Sequence, residues 1–193
     1  MVDLSPIVRN WQALDATMLR VRQPPDLHLV IRAIQQHRGI PSIQVIGQRL
    51  KLKEDVRDFL FEKPDVRRAF DKKRIAEAKK LSLQELLDGK TFRLVADLPQ
   101  VVAHRRRLMV EHINRFTGMP TMAEFSMHVH GRKVSNNTAL TRDAAVKRAI
   151  ERRAVELIGK MSRDQIRKQR LGQSAVKLGP KVKRFLHEKL GEE

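Results

Sequence analysis

The chain of 193 residues has no cysteine, no tyrosine and only 4% aromatic residues in total. The absence of cysteine excludes disulfides, thiolate chemistry and zinc sites with cysteine ligands, and it fits a reducing cytosol. The scarcity of aromatic residues disfavours a surface that binds single-stranded nucleic acid by stacking its bases.

Long hydrophobic runs are missing as well. No apolar segment approaches the ~20 residues that a membrane-spanning helix needs. The opening residues, MVDLSPIVRNWQ, lack the charged-then-apolar order of a signal peptide. We therefore expect a cytoplasmic protein with no membrane partner.

The seven histidines do not form a metal-binding pattern. His128 and His130 are two residues apart and would face different ways on a helix, while His104 and His112 lack a nearby set of further ligands. The sequence also lacks a phosphate-binding glycine loop, a serine elbow and a paired-carboxylate motif. We expect no metal, no other cofactor and no enzymatic activity.

Positive charge is the dominant feature of the composition. The formal net charge is +18, and the pI is about 11.0. Residues 1–97 carry +6, whereas residues 98–193 carry +12. A charge of this size predicts a polyanionic partner, of which nucleic acid is the usual one.

A segment of roughly sixty residues occurs twice, at a spacing of about eighty, which indicates an internal duplication. The first copy contains GIPSI at 39–43, and the second contains GMPTM at 118–122. After one additional residue in the second copy, VRRAF at 66–70 corresponds to VKRAI at 146–150. The corresponding apolar positions between these segments are Ile46 and Phe125, Leu50 and Val129, and Leu60 and Leu140.

The helix signals predict an all-α protein. Asp26 caps a helix with Leu29, Val30 and Ile34 on its buried stripe, and Gly39 ends it in a left-handed conformation. Each copy then predicts a short helix, a turn, a second short helix and a longer helix. The predicted parts are an N-terminal helix in 1–25, a first repeat at 26–90, an extended or helical connector at 91–98, a second repeat at 99–170 and a C-terminal basic helix in 171–193.

The short helices of each copy suggest a helix-turn-helix, whose second helix enters the major groove of DNA. The second copy resembles the helix-turn-helix of bacterial regulators and of transposon or plasmid accessory proteins. The resemblance covers about 35 residues per repeat. It rests on the order Gly118, Pro120, Thr121, Glu124 and Phe125, followed by Val134, Ser135, Thr138 and Arg142.

The predicted recognition helix of the second copy spans 135–142, with Leu140 pointing into the core. Asparagine can pair with adenine and arginine with guanine, whereas basic and hydroxyl side chains suit phosphates. The predicted base-reading residues are Ser135, Asn136, Asn137, Thr138 and Arg142, with Lys53 and Arg57 in the first copy. The predicted phosphate contacts are Thr121, Arg132, Lys133, Lys147, Arg148, Arg152 and Arg153, with Ser42, Lys51, Arg67 and Arg68 in the first copy.

The first copy differs at the corresponding helix, which carries Glu54, Asp55 and Asp58. Three carboxylates on a groove-facing helix would repel phosphate. Two interpretations remain open. Either this copy reads DNA through its basic residues, with a carboxylate accepting from cytosine, or it has become a structural or partner-binding copy.

Together these features predict a sequence-specific double-stranded DNA-binding protein with two tandem helix-turn-helix repeats and flanking helices. It would be a nucleoid-associated transcriptional regulator or accessory factor for replication, partition or transposition. It would read the major groove with helix 135–142, with helix 53–60 as a second candidate. Besides DNA, its candidate partners are a second copy of the chain or a larger nucleoprotein complex. The alternatives are an RNA-binding helical subunit of a ribonucleoprotein and a protein-interaction adaptor.

The charge leads to a first prediction, on salt dependence. Each neutralised phosphate releases counterions, so the affinity for nucleic acid should fall with a log–log slope of about −0.9 per phosphate. Two basic modules should neutralise on the order of five to ten phosphates. Fluorescence anisotropy of a labelled duplex across a salt series measures this slope, and a flat response would exclude a nucleic-acid partner.

Overall fold

The computed structural model describes residues 26–131, 140, 142–169, 171 and 178–191. The predicted N-terminal helix in 1–25 lies outside the described residues. So do residues 132–139 and 141, which contain the predicted turn and most of the predicted recognition helix.

The described residues form eleven helices and no strands, which confirms the all-α class. The chain divides into two compact units, unit 1 (residues 1–77) and unit 2 (residues 78–193). The first four helices are α1 (Leu27–Gln35), α2 (Ile43–Arg49), α3 (Glu54–Glu62) and α4 (Pro64–Ala78). The others are α5 (Leu83–Leu87), α6 (Gly89–Val95), α7 (Pro99–Arg115), α8 (Met122–His130), α9 (Ala144–Gly159), α10 (Arg163–Lys168) and α11 (Pro180–Leu190).

The core of unit 1 joins all four of its helices. The side chain of Asp26 caps α1 by accepting from the backbone N–H of His28 at 3.0 Å, as predicted. The prediction for Leu29 is wrong, because its side chain is 53% exposed. The spacing of Val30, Ala33 and Ile34 sets the buried face of α1, and Leu29 lies outside that face. The other buried apolar residues of this core are Ile46, Leu60, Phe61, Val66 and Phe70.

The connection between α2 and α3 is a four-residue turn, 50–53. Within it, Lys51 has a left-handed backbone with φ of 52°, which is unusual for a residue other than glycine. Gly47 allows α3 to approach α2 closely, because a Cβ atom at this position would lie 2.8 Å from Cδ of Arg57. The two short helices of the first copy are thus joined tightly and in contact.

The core of unit 2 is built on α7, α8 and α9. The rings of Phe116, at the end of α7, and Phe125, on α8, pack with centroids 4.4 Å apart. Leu140 is fully buried in the same core, as the sequence predicts. The helix α5 packs against α7 and α8, and residues 91–95 of the predicted connector are helical and belong to α6.

Equivalent residues of the two copies have the same structural role. Ser42 and Thr121 cap α2 and α8 by accepting from the backbone N–H three residues later, at 3.2 Å and 3.3 Å. Ser82 and Ser162 each form a capping box at the start of α5 and α10. The left-handed residues Lys51 and Gly131 also correspond, eighty residues apart. The buried pairs are Ile34 and Ile113, Ile46 and Phe125, Leu60 and Leu140, and Val66 and Val146.

The left-handed turn leads to a second prediction. Replacing Lys51 by glycine should raise the free energy of unfolding by about 0.5–1 kcal/mol, because glycine adopts this conformation without the Cβ clash. Urea unfolding followed by circular dichroism measures the change. The control is Gln48→Gly in α2, which should lower the free energy of unfolding by roughly the same amount. Equal destabilisation by both substitutions would contradict the role assigned to Lys51.

Candidate nucleic-acid interface

The structure describes the residues on either side of the segment predicted to read DNA, and these belong to unit 2. Before it, α8 ends at Gly131, whose backbone is left-handed with φ of 67° and whose N–H donates to the carbonyl of Met127 at 2.8 Å. After it, Leu140 is buried and Arg142 is exposed. The predicted contact residues Arg132, Lys133, Ser135, Asn136, Asn137 and Thr138 lie outside the described residues.

Asp143 anchors the end of this segment to two helices. Its Oδ1 atom caps α9 by accepting from the backbone N–H of Ala145 at 2.9 Å and of Val146 at 3.3 Å. Its Oδ2 atom accepts from Nε of Arg106, on α7, at 2.5 Å. Burial raises the pKa of Asp143, but the hydrogen bonds from Arg106 and from the helix backbone lower it, with a net decrease. The carboxylate therefore stays ionised at neutral pH and joins α7 to the start of α9.

The predicted phosphate contacts on α9 divide into exposed and anchored side chains. Lys147 and Arg148 are exposed, and Arg152 is exposed with its Nη2 atom donating to Oδ1 of Asn114 at 3.3 Å. Arg153 is held more firmly: its Nε atom donates to the carbonyl of Phe116, and its Nη1 atom pairs with a carboxylate of α9, both at 2.8 Å. Among these exposed cations, Arg148 and Arg152 are four residues apart and share one side of the helix, whereas Lys147 lies at its first turn.

The other predicted contact in unit 2, Thr121, is half-buried as the cap of α8. Its Oγ1 atom accepts from the backbone N–H of Glu124, so its hydroxyl proton is available to another acceptor. This position at a helix start is typical of side chains that contact phosphate.

The corresponding surface of unit 1 is different. The guanidinium of Arg57 donates to Oδ1 of Asp58 at 2.8 Å and to Oε1 of Glu54 at 3.1 Å, and its side chain is only 19% exposed. The hydrogen bond with Asp58 is the main cause that raises the pKa of Arg57. Lys53 is exposed at the start of α3. The acidic residues of α3 thus neutralise the arginine predicted to read bases.

The remaining predicted contacts of unit 1 lie near its helix ends. Ser42 is half-buried as the cap of α2, and Lys51 is exposed in the turn. Arg67 and Arg68 are exposed on α4, and Arg68 pairs with Asp65 at 2.5 Å. Unit 1 carries a formal charge of +5, against +13 for unit 2.

Two histidines are structural parts of unit 2. The Nε2 atom of His128 donates to the backbone carbonyl of His112 at 2.9 Å, which ties α8 to α7. Burial lowers the pKa of His112 below its usual 6.5, and the charges of His128 and Arg115 lower it further. Burial likewise lowers the pKa of His104, helped by nearby cations of the same unit. Among the described residues, no group of three or more metal-ligating side chains comes together.

Arg105 and Arg106 are two further basic residues of unit 2 that the sequence patterns do not indicate as a site. Both lie on α7, and Arg105 places its guanidinium over the ring of Phe92, 4.6 Å from the centroid. The available signal was the run of three arginines at 105–107. Consecutive helical residues point in different directions, so the run by itself does not tell which arginine faces a neighbouring helix.

Comparison with protein-family models, with curated proteins and with solved structures finds no match to this chain. None of the helices in the described part of the chain is long and apolar enough to cross a membrane.

The histidines lead to a third prediction. The pKa of His112 and of His104 is lower in the folded state than the usual 6.5, so the unfolded chain takes up protons first as the pH falls. Stability should therefore be constant above about pH 6.5 and decrease on acidification below it. Urea unfolding at pH 7.5 and pH 5.5 measures this loss.

The substitution His112→Gln should reduce this pH dependence, because it removes a group whose pKa is lowered by folding. The exposed His187, on α11, provides the matched control, and His187→Gln should leave the pH dependence unchanged. A pH dependence that persists in full in His112→Gln would show that His112 does not contribute to it.

Proposed function

We propose that the chain is a sequence-specific double-stranded DNA-binding protein with two tandem helix-turn-helix units. In this proposal the second copy reads bases with segment 135–142, and the exposed cations of α9 contact phosphates. The cellular role is that of a transcriptional regulator or of an accessory factor for replication, partition or transposition.

The observation that carries the proposal is how the segment between α8 and α9 is mounted on the basic unit. Gly131 and Leu140 fix its ends, and Asp143 joins it to α7 and α9. Lys147 and Arg148 are exposed on the first turns of the helix that follows. The residues between these ends are mostly polar or basic in sequence, and base recognition combines such side chains with phosphate contacts that position them.

The equivalence of the two copies supports the helix-turn-helix interpretation. In the first copy, two short helices are joined by a four-residue turn, and the small residue Gly47 lies where they meet. In the second copy, Ser126 occupies the same place in the repeat and is 2% exposed. In the first copy, the small residue lets the second helix lie close to the first.

For unit 1, the geometry favours the interpretation in which the first copy is a structural or partner-binding copy. The pairing of Arg57 with Asp58 and Glu54 engages its donors, which would otherwise face guanine. We therefore assign base recognition to unit 2 and assign unit 1 a structural or partner-binding role, with weaker phosphate contacts through Lys51 and Arg67.

The fourth prediction tests this assignment. Selection of bound duplexes from a random DNA pool should yield a preferred site. On that site, Asn137→Ala should cost roughly 1–3 kcal/mol of binding free energy and relax specificity at one position. Lys147→Ala and Arg148→Ala should weaken binding to all sequences alike, because phosphates carry no sequence information.

The control for charge is Lys183→Ala on α11, which removes one exposed cation elsewhere on unit 2. It should have a smaller effect than Lys147→Ala. A double substitution of Lys53 and Arg57 by alanine should preserve the selected sequence. Suppose that the double variant loses its preference for the selected site while Asn137→Ala keeps it. Base recognition would then have to be assigned to unit 1.

A further inference from the structure

Unit 2 contains a cavity of about 420 Å³ that lies between α6, α7 and the start of α9. This volume is within the range, roughly 300–1,000 Å³, of pockets that bind small molecules. Only Arg142 among its lining residues belongs to the proposed recognition segment.

One wall of the cavity is apolar. Val102 and Met109 contribute to it from α7, where a spacing of seven residues places them on the same face. Leu87, at the end of α5, and Phe92, on α6, complete this wall, and the side chain of Phe92 remains 38% exposed. An exposed aromatic ring at a concave apolar surface is suited to contact the apolar part of a ligand.

The other wall carries a positive charge. It contains Arg105, Arg106, Arg142 and Asp143, with a formal net charge of +2. Arg106 is neutralised by Asp143 at 2.5 Å, whereas neither Arg105 nor Arg142 makes an ion pair within the described part of the chain. Burial lowers the pKa of Arg105, a sign that its charge is taken partly out of water, although an arginine stays protonated.

We propose that this cavity binds a small organic anion that combines a carboxylate or phosphate group with an apolar body. Arg105 and Arg142 hold the anionic group, because guanidinium groups match the geometry of carboxylate and phosphate oxygens. The apolar body lies against Phe92 and the α7 wall. The stacking of Arg105 on Phe92, at 4.6 Å, fixes this guanidinium before the ligand arrives and so reduces the cost of ordering it.

The two walls together distinguish this kind of ligand from a nucleic-acid backbone. A backbone phosphate would use the arginines but would leave the apolar wall empty. A ligand with an apolar body uses both walls, so its affinity should depend on the side chains of Val102 and Met109 as well as on Arg105.

Calorimetric titration of the full chain with three probes tests the proposal: phenyl phosphate, benzoate and inorganic phosphate. The two aromatic anions should bind saturably with a stoichiometry of one, and phenyl phosphate should bind at least about tenfold more tightly than inorganic phosphate. The comparison of phenyl phosphate with benzoate tells which anionic group the site prefers.

Two substitutions locate the binding site. Arg105→Gln should weaken the binding of both aromatic probes by roughly ten- to a hundredfold. Val102→Trp should abolish their binding by filling the cavity, and should that variant fail to fold, Val102→Phe serves the same purpose. The matched control is Arg167→Gln, which removes an exposed arginine of α10 and should leave the affinity unchanged.

Three results would overturn the proposal: no saturable binding of either aromatic probe, equal affinity for phenyl phosphate and inorganic phosphate, or unchanged affinity in folded Arg105→Gln and Val102→Phe. The experiment contains no DNA, so its outcome is independent of the proposed function.

Discussion

Both units depend on the burial of apolar side chains from helices that are too short to be stable alone. Isolated helices below ~12–15 residues are marginal in water, and α2, α3 and α8 have seven, nine and nine residues. Each of them inserts at least one large side chain into a core, namely Ile46, Leu60 and Phe125. Full burial of such a side chain contributes about 1.5–3 kcal/mol. Packing therefore holds the short helices in place, while the caps determine where they begin.

Two residues of unit 2 fix the chain beside the proposed recognition segment. Leu140 is buried in the core, and Asp143 caps α9 and accepts from Arg106. The same junction forms one wall of the arginine-lined cavity. The cavity and the proposed recognition segment thus share the stretch of chain at Arg142 and Asp143.

Much of the fold can be predicted from the sequence because helix ends are local features. Pro99 and Ser162 each set a helix start through backbone geometry or a side chain a few residues away, and α7 and α10 begin where these residues predict. The prediction that Gly39 ends α1 is wrong: Gly39 is left-handed, but α1 already ends at Gln35, with Gln36 as its cap. The burial of Leu140 also follows from the repeat, since its counterpart Leu60 occupies the same place in the pattern.

Features that depend on tertiary contacts could not be predicted in this way. The spacing of apolar residues in α1 is compatible with a buried Leu29. Which residues at the edge of the apolar face are buried is decided only by the packing of α1 on its neighbours, and Leu29 is exposed. The ion pairs of Arg57 are local, because Glu54 is three residues earlier and Asp58 is adjacent, but the sequence does not show which side-chain conformations form them. The cavity was missed because its walls come from segments up to about fifty residues apart, brought together by packing.

Competition between double-stranded DNA and RNA of the same sequence tests the central claim most directly. The complex of the full chain with a labelled duplex from the selected pool is titrated with unlabelled duplex DNA, duplex RNA and single-stranded RNA, with fluorescence anisotropy as the readout. We expect the selected duplex DNA to displace the label at concentrations at least about a hundredfold lower than either RNA, since only B-form DNA exposes base edges in a wide major groove. Equal or better displacement by RNA would contradict it.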